Sequence, residues 1–281
     1  MLPHMRKVTF TIMGAGSAYG VPTAGNGWGA CDPRNPANHR LSPSILIQSG
    51  GEAIIIDMGP DFREQTNRHN VREITGVLFT HCHADHIVGI YELPRFTQWQ
   101  AGDINCFGAK ETLDGIAKMF YYLFDPKLKV KYYGPGRINW HEIDYGKEFQ
   151  VGSLPILPIH QDHGFMASTG FRVGDIAYST DLKNLSAESK QLLTGLDVWL
   201  LDCNDLVPSA VHNHLEQALV WAEELKPGLT VLTHLSETID FETVSKTLPA
   251  KVILAKDGMQ YDTFVSAPNN YPSSYQKLSP K

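Results

Sequence analysis

The chain has 281 residues, of which 42% are hydrophobic and 19% are charged, and its formal net charge is −6 at pH 7. This length and composition can bury a large core, which argues against a disordered chain and indicates a globular domain. The acidic balance offers no basic surface for a long nucleic acid and disfavours tRNA processing, although a small phosphodiester needs only a local positive patch. No apolar run approaches the length of a membrane span.

The termini and the cysteines bear on localisation. Residues 1–5 lack the apolar core of a signal peptide, and residues 267–281, rich in Ser, Pro and Asn, have the composition of a flexible tail. The four cysteines show no paired spacing, which indicates free thiols in a reducing compartment; they are Cys31, Cys82, Cys106 and Cys203. We therefore expect a cytoplasmic protein.

The first predicted elements are three strands, over 8–13, 44–48 and 53–57, the last two joined at the Gly50-Gly51 turn. A glycine-rich segment over 14–22, GAGSAYGVP, follows the first strand. Its glycines lack the G-x-G-x-x-G spacing of a dinucleotide site, and the next element is a strand rather than a helix. We interpret this segment as a loop that lines an active site.

A metal-binding motif follows the apolar run 77–79. Residues 80–86 read Thr-His-Cys-His-Ala-Asp-His, which puts three imidazoles and a carboxylate on a tight turn at a strand end: His81, His83, Asp85 and His86. Such ligands suit zinc, manganese or iron, and this spacing supplies two ligands to each of two ions. Two neighbouring ions imply metal-assisted hydrolysis. Solvated loop histidines and a closed structural zinc site are the simpler alternatives.

The remaining predicted elements complete two sheets. Helices are predicted over 87–99, 110–120 and 215–224, and strands over 103–108, 171–173, 176–179, 198–202, 231–233 and 252–254, with another strand at Ile159. Strands that feed helices on both sides of two sheets give an α/β fold, an αββα sandwich of two mixed β-sheets flanked by helices. No linker or repeat divides the chain, so residues 1–266 are predicted to form one domain.

The 80–86 motif is the signature of the metallo-β-lactamase superfamily, which the chain resembles from about residue 7 to residue 261. The resemblance implies three further ligands downstream, matched by His163, Asp181 and His234. His160 competes with His163, which we favour because Gly164 permits the tight turn that a ligand loop needs. Taken singly, each is more often a cap or a satisfied polar group, so the ordered set carries the inference.

The resemblance implies a dinuclear centre with a shared carboxylate. One ion is assigned His81, His83, His163 and Asp181, and the other is assigned Asp85, His86, Asp181 and His234. The expected cofactors are two divalent metal ions per chain, zinc or manganese, and no organic cofactor. The expected chemistry is attack on the substrate by a hydroxide that the two ions share.

Further motifs resemble one branch of this superfamily. Residues 14–22, the segment 57–65 and the late Asp257-Gly258-Met259 look like the branch of the cyclic phosphodiesterase PhnP, which opens phosphoribosyl 1,2-cyclic phosphate. The cofactor-biosynthesis protein PqqB shares several of these motifs. PhnP carries an extra structural zinc bound by an N-terminal cysteine cluster and a late histidine. Here the matching positions hold one cysteine, Cys31, and Glu237, so we expect no structural zinc.

A phosphodiesterase also needs an acid that protonates the leaving alkoxide. His212 precedes a predicted helix with Asn213 as N-cap and Glu216 at N3, and it matches by position a histidine of related phosphodiesterases. His214 is the alternative acid. We also count the ligand Asp85 among the catalytic residues.

Two further aspartates have no ligand role in this assignment. Asp57, after a strand, either orients a ligand histidine or is a turn residue before Gly59-Pro60. The role of Asp257 is left open.

Three functions are compatible with these residues. The leading hypothesis is a phosphodiesterase that acts on a small cyclic or diester phosphate. The enzyme alternative is another hydrolase of the same fold, which cleaves a thioester, a lactone or an RNA end. The alternative of a different class is a PqqB-like biosynthetic oxidoreductase or a metal-binding protein without hydrolysis. The expected partner is a small phosphate-ester substrate, with no long nucleic acid and no membrane, and a homodimer is compatible with the sequence.

Overall fold

Two seven-stranded β-sheets lie at the centre of the fold in a computed structural model, which describes residues 5–125 and 138–266. The first sheet contains β1 (Met5–Gly14), β2 (Ser44–Ser49), β3 (Glu52–Ile56), β4 (Gly76–Leu78), β5 (Ile104–Gly108), β6 (Ile138–Glu142) and β14 (Gln260–Ser266). The second contains β7 (Phe149–Val151), β8 (Leu154–Asp162), β9 (Ala167–Val173), β10 (Ile176–Ser179), β11 (Val198–Asp202), β12 (Leu229–Thr233) and β13 (Val252–Leu254). With helices on both outer faces, the predicted αββα sandwich is confirmed.

Each sheet is part antiparallel and part parallel. In the first sheet, β14, β1, β2 and β3 pair antiparallel, and β3 to β6 pair parallel. In the second, β7 to β10 pair antiparallel, and β10 to β13 pair parallel. Ligands of open α/β sheets bind outside the carboxyl ends of parallel strands, so the residues that follow β3, β4, β10, β11 and β12 are the ones expected to form a site.

The helices are short. They are α1 (Phe62–Arg68), α2 (Ala84–Ile87), α3 (Leu93–Trp99), α4 (Lys110–Met119), α5 (Tyr121–Phe124), α6 (Ala187–Leu192), α7 (Leu215–Leu225) and α8 (Phe241–Ser245), with 3₁₀ turns at Pro36–Asn38 and Val88–Glu92.

The segment 87–99 is helical as predicted but is not one continuous helix, because it consists of the end of α2, a 3₁₀ turn and α3. The backbone oxygen of His86 accepts the Met58 N–H, and the Gly89 N–H donates to Met58 O, both at 2.7 Å. These hydrogen bonds to the loop after β3 replace backbone hydrogen bonds that a continuous α-helix would make. Pro94 then lies in the first turn of α3, where a missing N–H is tolerated.

The strands are apolar on both faces because each sheet is covered on both sides. In β3, Ile54 and Ile56 pack into the core between the sheets, whereas Ala53 and Ile55 pack under the outer helices. In β11, Trp199 faces the outer core of the second sheet. Such two-sided burial explains why these strands read as continuous apolar runs.

The predictions on the termini, the cysteines and membrane spans have different outcomes. Residues 1–4 and the predicted flexible tail 267–281 lie outside the described residues. All four cysteines are described, and none forms a disulfide. Within 5–125 and 138–266, no helix is long and apolar enough to span a membrane.

Candidate metal centre

Three histidines drawn from both sheets form a first group of ligand atoms. His81 and His83 follow β4 in the first sheet, and His163 follows β8 in the second. His163 Nε2 lies 3.3 Å from His83 Nδ1, and the ligand atoms of the three residues lie within 4.8 Å of one another. His81 and His163 are buried while His83 is exposed, so the group is open to solvent on one side.

A second group combines two carboxylates with two imidazoles. Asp85 and His86 lie in α2, Asp181 follows β10 and His234 follows β12. His86 Nε2 lies 3.0 Å from both Asp85 Oδ2 and Asp181 Oδ2. His234 Nε2 lies 3.4 Å from the same oxygen of Asp181. These four residues also have ligand atoms within 4.8 Å of one another.

Asp181 lies between the two groups. Its Oδ1 is 3.6 Å from His163 Nε2 and 3.9 Å from His81 Nε2. Its Oδ2 faces His86 and His234 of the second group. Each oxygen of this buried carboxylate therefore faces one group, the arrangement that a carboxylate shared by two ions needs.

Three strand-end residues of the centre have a left-handed backbone. Asp57, Asp181 and His234 have φ of 62°, 50° and 61°. This region is uncommon for residues other than glycine and is enriched at functional sites. The sharp change of direction that it produces turns each side chain toward the centre directly after its strand ends.

The donor atoms fit a divalent metal ion. The Nε2 atoms of His81, His86 and His234 are buried and make no well-aligned hydrogen bond, although Asp181 Oδ2 lies 3.0 Å from His86 Nε2 and 3.4 Å from His234 Nε2. Buried nitrogens without partners are costly, and their convergence with carboxylates calls for a cation between them. Imidazole and carboxylate suit zinc and manganese alike.

Without metal, two of these histidines, His86 and His234, hold protons. Burial alone would lower the pKa of His234, but the carboxylates of Asp181, Asp202 and Asp85 raise it to about 10. Burial likewise opposes the charged form of His86, but its carboxylate neighbours raise its pKa well above the usual value. Conversely, His234 and His86 hold the pKa of the buried Asp181 carboxyl well below its usual value. Metal binding must therefore displace protons.

This protonation predicts that pH affects the stability of the metal-free protein but not that of the metal-loaded protein. A histidine whose pKa is raised by folding stabilises the fold fully below its unfolded pKa, near 6.5, and loses that contribution as the pH rises toward its folded value. The free energy of unfolding of the metal-free protein should therefore fall between pH 6.5 and 8.5. The metal-loaded protein should not lose stability, because its imidazoles bind metal in the neutral form. Urea unfolding of both forms at several pH values in this window tests the difference, which parallel curves would contradict.

Asp57 contacts the proposed ligand His86. Asp57 Oδ2 lies 2.6 Å from His86 Nδ1 and accepts a 2.7 Å hydrogen bond from Thr80 Oγ1. The Thr80 N–H donates to Asp57 Oδ1 at 2.9 Å. The 80–86 turn thus fixes this carboxylate, which is placed to orient the ring of His86 if that residue binds metal.

Asp202, at the end of β11, was not singled out in the sequence. Its Oδ1 lies 3.1 Å from His234 Nδ1, and its Oδ2 lies 3.8 Å from His212 Nδ1 and accepts the Asn213 N–H at 3.1 Å. One fully buried carboxylate thus borders both a proposed ligand and the proposed acid. An aspartate at a strand end is too common a feature for the sequence to have marked it.

Replacing Asp202 with asparagine should weaken metal binding. The amide cannot stabilise the His234 ring as a carboxylate does, and loss of such a partner typically costs about 10–100-fold in metal affinity. Competition with a chelator of known affinity measures the change. The exposed Asp144, which pairs with Lys147, is a control whose change to asparagine should leave affinity unaltered. Unchanged affinity in Asp202→Asn would assign Asp202 to folding alone.

The structure brings His212, but not His214, into the centre. The His212 ring lies 5.0 Å from that of His163 and 5.1 Å from that of His234 by centroids. Its Nδ1 is 3.5 Å from Asp181 Oδ1 and has no hydrogen-bond partner. His214 contributes to none of the ligand groups found among the described residues.

The predicted N-cap of α7 is wrong by one residue. The cap is His214, whose side chain makes no capping bond, and the helix begins at Leu215. Asn213 is buried, and its side chain donates to Asp202 O at 2.9 Å and accepts the His214 N–H. Asn213 is therefore used to fix the turn around Asp202 rather than to cap the helix.

His160 lies away from the centre. Its side chain is exposed, and its ring packs edge-on against Tyr145 at 4.9 Å between centroids. Gly164, next to His163, has φ of 80°, and a side chain there would come within 2.9 Å of Val211 Cγ1. The turn after His163 thus needs glycine, as the choice between the two histidines assumed.

Cys31 and Glu237 lie together, but no group of metal-ligating side chains is found around them in the described part of the chain. Cys31 Sγ lies 3.4 Å from the backbone oxygen of Glu237. The buried Arg40 donates to the backbone oxygens of Ser236 and Ile239 at 3.0 and 2.7 Å. A guanidinium therefore joins the N-terminal loop to the segment that follows the last proposed ligand.

A family model and a solved structure assign this chain to the same family. A family model described as the beta-lactamase superfamily domain matches residues 52–235. Among solved structures, a diphosphatase from the PhnP family superposes with a TM-score of 0.84 at 30% sequence identity, and the match covers 93% of this chain and 99% of that one.

Two curated relatives differ in their names. A protein of Porphyromonas gingivalis named octanoyltransferase is 31% identical over 231 residues, which are 80% of this chain and 45% of that protein. The chain thus spans less than half of that relative's length. A ribonuclease Z of Methanopyrus kandleri is 25% identical over 284 residues, with 80% of this chain and 92% of that protein covered.

Proposed function

The chain belongs to the metallo-β-lactamase superfamily and is PhnP-like within it, and on this premise we propose that it hydrolyses a small cyclic or diester phosphate with two divalent ions, zinc or manganese. The observation that carries the proposal is the position of Asp181, with one oxygen toward each group of ligand atoms. A diphosphatase and a ribonuclease among the similar proteins support a phosphate-containing substrate.

In the proposed mechanism, the ions activate water and the side chains donate a proton and orient the ligands. Two ions bound by these residues would lower the pKa of a water molecule and offset negative charge on phosphoryl oxygens. His212 donates the proton that the leaving oxygen needs. Asp57 holds the ring of His86, and Asp202 borders both His234 and His212.

Metal content and substrate choice test the proposal together. Protein reconstituted with zinc or manganese should contain two ions per chain by elemental analysis and should turn over bis-p-nitrophenyl phosphate, whereas chelator-treated protein should not. One ion or none would contradict the dinuclear centre. Two ions with turnover of a thioester or a lactone, but of no diester, would contradict the phosphate assignment. Two ions with no hydrolysis of any of these would favour a biosynthetic or metal-binding role.

A second candidate is hydrolysis of an acyl thioester. The observation that favours it is the 31% identity to the protein named octanoyltransferase. That protein is more than twice as long as the matched segment. The thioester arm of the same panel separates this candidate from the first.

A further inference from the structure

We propose that the substrate carries an apolar substituent, which packs on exposed apolar side chains at the mouth of the metal centre. We call these side chains the apolar rim and define it as Tyr19, Phe165, Leu206 and Val207. The proposal rests on the proposed hydrolysis at this centre and adds the class of substrate.

The first part of the rim is fixed to the ligand His163. Phe165 lies two residues after it, in a turn where the His163 N–H donates to Met166 O at 2.9 Å. His163 Nδ1 lies 2.8 Å from Val211 O, so this turn packs on the loop that carries His212. Phe165 is 92% exposed and held there by the geometry of the ligand turn.

The rest of the rim follows on neighbouring loops. Leu206 and Val207 lie in the loop between β11 and α7, and the Ser236 N–H donates to Asn204 O in that loop at 3.1 Å. The Ser17 N–H donates in turn to Leu235 O at 3.1 Å. Tyr19 is therefore on a loop attached directly beside the ligand His234.

The rim is distinguished by its position rather than by exposure alone. Single exposed apolar residues are normal on a protein surface. Here Tyr19, Leu206 and Val207 are 79%, 41% and 62% exposed. With Phe165, they lie on loops that carry His163 or His212, or that bond to the residues directly after His234. Exposed apolar side chains on the loops that border a polar centre are the ones available to an apolar group of its substrate.

The charged side chains of the loops around the metal centre also favour a substrate with an apolar substituent. Residues 14–43, 162–166, 203–214 and 234–240 are all described, and Arg34 and Arg40 are their only lysine or arginine residues. Arg34 is paired with Asp32, and Arg40 is buried and donates to backbone oxygens. Lys183, two residues after Asp181, donates to Ser209 O at 2.6 Å in the 203–214 loop. With all three cations engaged, these loops fit a single phosphodiester with an apolar arm.

The test compares esters that share one leaving group. The substrates are p-nitrophenyl octyl phosphate, p-nitrophenyl phenyl phosphate and p-nitrophenyl methyl phosphate. Metal-loaded enzyme should hydrolyse the octyl or the phenyl ester with a kcat/KM about tenfold above that of the methyl ester. Burial of about 55 Å² of apolar surface is enough for such a gain. A larger gain with the phenyl ester identifies a flat ring, and a larger gain with the octyl ester identifies a chain. Phe165→Ser and Tyr19→Ser should lower the ratio of kcat/KM for the octyl or phenyl ester to kcat/KM for the methyl ester. Phe264→Ser, which changes an exposed phenylalanine on β14, should not.

A binding measurement separates failure of this inference from failure of the proposed function. If no diester is turned over, the phosphodiesterase proposal fails, and calorimetry of methyl-, phenyl- and octylphosphonate with the metal-loaded protein tests the rim by itself. Tighter binding of phenyl- or octylphosphonate, reduced in Phe165→Ser, supports the rim. Equal binding of all three, or equal kcat/KM for all three esters, overturns it.

Discussion

Replacing Asp181 with alanine should remove bound metal and abolish hydrolysis together. Its two oxygens face different groups of ligand atoms, so no other side chain of the centre can take over both contacts. Removal also leaves the rings of His86 and His234 without the carboxylate they share. Elemental analysis and turnover of bis-p-nitrophenyl phosphate, measured on the same preparation, check both effects.

Two further variants make the result specific. Asp181→Asn keeps the shape of the side chain and should still lose most activity, because a neutral amide cannot balance two cations. Asp240→Ala removes the N-cap of α8, where the side chain accepts the Thr243 N–H, and should lower stability while leaving metal content intact. Full metal and full activity in Asp181→Ala would show that the two groups do not share this residue.

Replacing His212 with alanine should slow hydrolysis of a diester with an alkoxide leaving group by roughly 10²–10⁴-fold, the usual contribution of a general acid. An activated nitrophenyl ester should lose much less, because its leaving group departs without a proton. Parallel kinetics on an alkyl and a nitrophenyl diester measure the difference.

The position of His212 makes the metal content of this variant informative. Its ligand atom lies within 4.8 Å of those of His163 and Asp181. Loss of an ion in His212→Ala would therefore make this residue a ligand rather than an acid. His214→Ala is the matched control, and a larger effect there, or equal losses on both esters, would move the acid elsewhere.

The local part of the centre could be predicted because its chemistry is contiguous in the chain. His81, His83, Asp85 and His86 occupy one turn, and this spacing has few uses other than metal binding. Most central strands were equally accessible, because strands covered on both faces leave continuous apolar runs. The edge strands β6, β7 and β14 are partly exposed and were not predicted. The ordered downstream residues could then be found by resemblance.

What the sequence did not reveal depends on tertiary contacts. Asp202 acquires its place only when β11 and β12 lie side by side, which brings its carboxylate to His234. The break in the helix after His86 arises because Met58, a distant residue, bonds to its backbone. The left-handed φ of Asp181 leaves no mark in the sequence, since no glycine stands there.

The proposed ligands are divided between the two halves of the chain. Those of the 80–86 turn precede the exposed turn at 144–147, and His163, Asp181 and His234 follow it. If the chain were cut at this turn, each fragment would carry part of the ligand set, and β14 of the later fragment would have to pair with β1 of the earlier one. Because an ion that binds only the joined form favours joining, free metal concentration would control reassembly of the fragments. If the proposed ions bind here, association of the two fragments would report on their free concentration.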